Sequence, residues 1–163
     1  MAKGTPVKIT EKEVLKAQKQ WGDAIVDIGN AFTSGQDVVK CAKNYIANLY
    51  DYKNGTVLFK PTKCEVRQFR LTPEGALSYF VGNEFVKSGF PEDQGFAIAP
   101  YISVDFLNAG IILDGNRATA MGNYYFRQPD GKTVQVEYTF GYIKRKSVVI
   151  NLHHSSIPYS TAE

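Results

Sequence analysis

Histidine is nearly absent from this chain of 163 residues: it occurs twice, at the adjacent positions His153 and His154. Cysteine is as sparse. Cys41 and Cys64 stand alone without Cys-x-x-Cys spacing, which argues against a zinc ribbon or dithiol motif and leaves two small buried hydrophobes as the simpler reading. No run approaches the roughly 18 apolar residues of a membrane-spanning helix. Met1–Lys8 lacks the apolar core of a secretory signal, so the expectation is a cytoplasmic protein without membrane contact. Charge of one sign is also lacking, the net value being +3. Lysines gather at Lys12, Lys16 and Lys19 and at Lys144-Arg145-Lys146, but without the interleaved aromatics of a nucleic-acid binder, so they read as a solvated helix face and a turn. Repeats, linkers and low-complexity stretches are missing. What remains, 44% apolar and 21% charged, is the composition of one globular domain over 1–163, with 1–9 as an N-terminal tail.

Thr10-Glu11-Lys12-Glu13 has the form of a capping box. Behind it Val14, Ala17, Trp21, Ala24, Ile25, Ile28, Ala31 and Phe32 recur at three- and four-residue spacing, predicting one long helix that ends near Ser34-Gly35. The Trp21 stripe reads as ordinary core. A second helix is expected over Gln36–Asn48, and a short strand over Thr56–Lys60, stopped by Pro61. Thr72-Pro73-Glu74 starts a third helix, with proline where its missing N–H does no harm. Four strands should follow: Ala97–Asn108, Ile111–Asp114 continuing into Arg117–Arg127, Thr133–Ile143 and Ser147–Ile157. Asp114-Gly115 and Pro129-Asp130-Gly131 supply hairpin turns. Helices first and an antiparallel meander afterwards specify an α+β fold, in which a curved sheet wraps the long helix and leaves a cavity between them.

Adjacent residues of a strand point to opposite faces, so His153 and His154 cannot share one metal ion. The chain has no His-x-His, His-x-x-x-His or Glu-x-x-His at a pocket-facing spacing, whereas a zinc site needs at least three converging ligands. No metal or other cofactor is expected. On the last strand, alternation groups Val149, Asn151, His153 and Ser155 on one face, and Val148, Ile150, Leu152, His154 and Ser156 on the other. Hydrophobicity alone favours the even-numbered face as core. Thr62, just after the strand-ending proline, is a turn-capping residue or a pocket hydroxyl, and the buried phenol of Tyr79 calls for a partner.

The order of elements resembles the nuclear-transport-factor-2-like, or cystatin-like cone, superfamily. The C-terminal half is similar to the association domain of calcium/calmodulin-dependent kinases, through the Gln128-Pro129-Asp130-Gly131-Lys132 turn and the His-rich last strand. Four short motifs taken together, Phe59-Lys60-Pro61-Thr62, Ser78-Tyr79-Phe80-Val81-Gly82, Glu92-Asp93-Gln94-Gly95-Phe96 and His153-His154-Ser155-Ser156, resemble the metal-free iota-class carbonic anhydrases. The resemblance spans about Val14 to Tyr159. It implies reversible hydration of carbon dioxide to bicarbonate and a homodimer formed through the sheet face.

Alignment with the association domain places His153 and Ser155 in the cavity and His154 outside, and selects Tyr124 over Tyr125 as a pocket residue. The site implied by the resemblance comprises His153, Ser155 and Thr62 as catalytic groups, with Tyr79, Tyr124, Thr62 and Ser155 binding substrate. Hydroxyls would orient water and the product anion. His153 would accept or shuttle a proton, its unperturbed pKa of about 6.5 being suited to neutral pH. Two other functions fit the same cone: a non-catalytic association module, and an isomerase or cyclase using a buried carboxylate, for which Asp105 and Glu137 are the strand candidates.

Overall fold

A computed structural model describes residues 7–161. The capping box forms as expected: the Glu13 N–H donates to the Thr10 hydroxyl while the Thr10 N–H donates to the Glu13 carboxylate at 2.9 Å. Helix α1 (Glu11–Thr33) buries Val14, Ala17, Trp21, Ala24, Ile25 and Ile28 along one stripe. Phe32, at the end of that stripe, is instead 40% exposed and meets Phe85 edge-on. Helix α2 (Val38–Leu49) starts two residues later than expected because Asp37 caps it, accepting the Lys40 N–H at 2.9 Å. The small strand is shorter than expected, β1 (Leu58–Lys60). Helix α3 (Pro73–Val81) begins at the Thr72 cap and stops at Gly82, whose φ of +93° belongs to the region that favours glycine.

Four long strands follow: β2 (Ser103–Asp114), β3 (Arg117–Arg127), β4 (Thr133–Lys144) and β5 (Val148–Ser156). They form an antiparallel meander, and β1 adds in parallel to β5, giving the order β1-β5-β4-β3-β2. Two expected boundaries are corrected. The strand predicted from Ala97 begins at Ser103, because the preceding stretch bonds to α3 instead: the Phe96 N–H donates to the Tyr79 carbonyl and the Ala97 N–H to that of Phe80. Ile111–Asp114 ends β2 rather than opening β3, since a bulge between Asn108 and Gly110 lets the strand continue.

The sheet is curved. Its inner face packs Phe106, Tyr124, Phe126, Tyr138 and Phe140 around Trp21 of α1 and its neighbours, the cone expected from the order of elements. Its outer face leaves Leu58, Leu107 and Met121 exposed. Two residues of the expected tail belong to the fold: Ile9 is buried with its N–H on the Gly115 carbonyl, and Lys144 reaches both the Lys8 carbonyl and the Glu13 carboxylate. Residues 1–6 of that tail lie outside the described residues. Cys41 and Cys64 are unpaired and half-buried rather than fully enclosed. Among the described residues, no helix is long and apolar enough to cross a membrane.

Candidate active site

The last strand does not alternate uniformly. Tyr142 pairs with Ile150 and Gly141 with Leu152, so Asn151 is an extra residue bulged out of the β4–β5 ladder. The bulge corrects the expected grouping, in which Val149 and Asn151 share a face with His153. It lets apolar Ile150 and polar His153 and Ser155 all face inward, at 2%, 2% and 1% exposure, while His154 is exposed. The apparent conflict between the hydrophobic pattern and a polar pocket thus disappears.

Strand register builds the seat of His153. β1 places Phe59 opposite it and β4 places Phe140 opposite it from the other side. The imidazole is stacked between the two rings, with centroids at 4.6 Å and 4.1 Å, and Trp21 meets it edge-on at 5.4 Å. Both ring nitrogens are engaged: Nδ1 lies 2.9 Å from the Tyr50 hydroxyl and Nε2 lies 3.2 Å from that of Tyr124. Burial holds its pKa well below the ordinary 6.5, so the ring is neutral.

From His153 a chain of hydroxyls runs outward. Tyr124 Oη is 2.5 Å from Ser155 Oγ, which is 2.6 Å from Thr62 Oγ1 and 3.3 Å from the Glu137 carbonyl. The structure therefore brings Tyr124, His153, Ser155 and Thr62 into one continuous network. Tyr79 stands beside it: its hydroxyl accepts the Lys63 N–H at 3.4 Å, and its ring stacks on Phe96. Burial raises the pKa of Tyr124 and Tyr79 far above that of a free phenol, which keeps both as O–H donors. Tyr79 also forms one wall of a 510 Å³ cavity shared with Phe32, Lys63, Gln94, Phe96 and Tyr101.

The loop carrying Thr62 is tied down from below. The Glu92 carboxylate accepts the backbone N–H groups of Glu65, Val66 and Arg67 at 2.6–3.0 Å, and these bonds lower its pKa. Arg70, wholly buried, pairs with Asp93 at 2.6 Å and lies 4.0 Å from the centre of the Phe90 ring, while Asp93 also accepts the Ser78 hydroxyl.

Sequence reasoning missed Tyr50, Phe59, Phe140 and the Arg70–Asp93 pair. The one available signal was that a buried phenol or indole needs a partner. It applies equally to Trp21, whose Nε1 donates to the Tyr50 hydroxyl at 2.9 Å, a role beyond packing. Neither carboxylate considered for isomerase chemistry faces this network. Asp105 is exposed beside Ser103, and Glu137 accepts the Ser156 hydroxyl on the outer side of the sheet. Among the described residues, no group of three His, Cys, Asp or Glu side chains is arranged to hold a metal ion.

A family model for "Metal-independent carbonic anhydrase" matches residues 12–157. A protein of that description from Nostoc sp. (strain PCC 7120) is 44% identical over 156 residues, covering 93% of this chain and 75% of that protein. Among solved structures, a cyanobacterial iota-carbonic anhydrase complexed with bicarbonate superposes with a TM-score of 0.89 at 42% identity, covering 96% of this chain and 99% of that one. A calcium/calmodulin-dependent protein kinase II association domain from Xanthomonas campestris shares the fold, with a TM-score of 0.54 at 24% identity over 94% and 91% of the two chains. With a matching model over most of its length and a close relative of the same description, the chain belongs to the metal-independent carbonic anhydrase family.

Proposed function

We propose that this protein reversibly hydrates carbon dioxide to bicarbonate without a metal cofactor, at the hydroxyls of Thr62, Ser155 and Tyr124 with Tyr79 at the entrance. The observation that carries the reading is the buried network ending at Ser155 and Thr62, next to an apolar wall of Phe59, Phe96 and Phe126 suited to a small uncharged gas. The bicarbonate held by the cyanobacterial relative supports the same anion as ligand here.

In the forward direction a water oxygen bonds to carbon and one C=O electron pair moves onto oxygen. The attacking water then loses a proton to solvent through the cavity beside Lys63. Hydroxyl donors aimed at the carbonate oxygens stabilise the negative charge as it develops, and in a water-poor site each is worth a few kcal/mol of barrier. An unperturbed imidazole would suit the proton-accepting role expected for His153. With both nitrogens hydrogen-bonded and its charged form disfavoured by burial, His153 instead serves to hold the Tyr124 phenol in place.

Purified protein should retain hydration activity in the presence of a strong chelator, while Thr62→Ala and Ser155→Ala should each lose most of it. Chelator-sensitive activity restored by zinc would sink the metal-free reading. The proposal places the homodimer at the outer sheet face, where Leu58, Leu107 and Met121 are 59%, 60% and 57% exposed, an apolar surface that a second copy would cover. Sedimentation should give twice the chain mass, and Met121→Lys should shift it to the monomer. A monomeric wild type would refute this assembly.

A further inference from the structure

We infer that Trp21 and Tyr50 are positioning residues that set the direction of the hydrogen-bond chain through His153 and Tyr124, so that its donors run toward Ser155 and Thr62. The catalytic meaning of this direction rests on the carbonic anhydrase reading above; the direction itself follows from counting protons.

The count begins at Trp21, whose indole nitrogen only donates. Its bond to the Tyr50 hydroxyl is 2.9 Å long, so one lone pair of that oxygen is occupied. Tyr50 is buried and keeps its single proton, and the other partner of its hydroxyl is His153 Nδ1 at 2.9 Å. Were Nδ1 to donate, Tyr50 would accept twice and its own proton would be enclosed without an acceptor. Tyr50 therefore donates to Nδ1, and a neutral imidazole with a lone pair on Nδ1 carries its proton on Nε2.

Nε2–H donates to Tyr124 Oη at 3.2 Å, which leaves the Tyr124 proton for Ser155 Oγ at 2.5 Å. Ser155 then has its own proton free for Thr62 Oγ1 or the Glu137 carbonyl. In the opposite sense Ser155 would spend its proton inward on Tyr124 and offer the site lone pairs alone. In the inferred sense Ser155 does not donate inward, and its proton passed to Thr62 Oγ1 leaves the Thr62 proton for the site, a donor of the kind a carbonate oxygen gaining charge requires. Chains of this kind polarise one another, so a donor-only indole at the inner end acts on the far end. The stack of Phe59 and Phe140 on either side of His153 keeps both nitrogens aimed along the line.

The test is long-range proton–nitrogen NMR on wild-type protein labelled in histidine, alongside carbon dioxide hydration kinetics. His153 should show a proton on Nε2 and none on Nδ1, unchanged from pH 6 to pH 8. A proton on Nδ1, or an imidazolium, overturns the inference and leaves the activity untouched as a question. An inactive wild type with the Nε2–H tautomer would instead fail the carbonic anhydrase reading while the chain direction stands. Tyr50→Phe keeps the ring and removes the donor to Nδ1. It should reduce kcat by roughly tenfold, within the range that misplacing a group near the chemistry can cost, with KM for carbon dioxide little changed. Trp21→Phe should act in the same direction more weakly. A folded Tyr50→Phe variant with full kcat would overturn the positioning role.

Discussion

The buried imidazole makes stability depend on pH in a window that few other groups touch. In the unfolded chain His153 titrates near 6.5; in the fold its pKa lies well below that because burial disfavours the charged ring. Below pH 6.5 the unfolded state therefore binds a proton that the folded state does not, and stability falls as pH falls. The contribution is fully present above pH 6.5 and is lost progressively beneath it, toward the folded pKa. Each pH unit is worth about 1.4 kcal/mol, so between pH 7.5 and pH 5.0 the loss comes to about 2 kcal/mol. Urea denaturation at half-unit pH intervals measures it directly, with His153→Gln as the control that removes the titrating group. The carboxylates with lowered pKa values, Glu13 and Glu92, titrate at lower pH, whereas burial raises that of Asp93 and makes its contribution run in the opposite sense, so the difference between wild type and His153→Gln isolates the imidazole. A wild-type stability that is flat from pH 7.5 to 5.0, or a slope that persists in His153→Gln, would refute the argument that the ring is held neutral.

Two further outcomes concern the scaffold. Arg70→Met leaves the wholly buried Asp93 without its cation, and denaturant unfolding should show a loss of about 3–5 kcal/mol, the usual cost of breaking a buried pair from one side; a loss below about 1 kcal/mol would mean the pair contributes little. Gly122→Ala would place a Cβ 2.1 Å from the Leu107 carbonyl oxygen and 2.8 Å from the Tyr138 hydroxyl, so the β2 bulge must shift. Thermal unfolding should register a loss of about 1–3 kcal/mol, typical of overpacking, and an unchanged melting temperature would show that the bulge adapts freely.

Much of the architecture was legible because it is locally encoded. Thr10 and Glu13 mark the start of α1 through a capping box that reads the same in sequence and in structure, and Thr72-Pro73 does so for α3. The stripe through Trp21 announces a helix buried along one side. Where the reading erred, a non-local interaction decided the matter: Phe96 and Ala97 bond to α3 rather than to a neighbouring strand, and the Asn108–Gly110 bulge extends β2 through Ile111–Asp114. Bulges leave little trace in an alternating pattern, because the inserted residue is recognisable only against the strand opposite.

The site divides along the same line. Strand alternation by itself separated His153 from His154, a consequence of backbone geometry that holds wherever a strand runs without a bulge. Only the tertiary structure decided that Ile150 joins His153 on the inner face, since that depends on the register between β4 and β5. It alone brought Tyr50, at the end of α2, to Nδ1 of a ring more than a hundred residues downstream, and Trp21, on α1, to the Tyr50 hydroxyl. Nothing in the spacing of 21, 50, 124 and 153 announces a chain of hydrogen bonds. Its members meet because helix packing and strand register converge on one buried interior, where polar groups need partners.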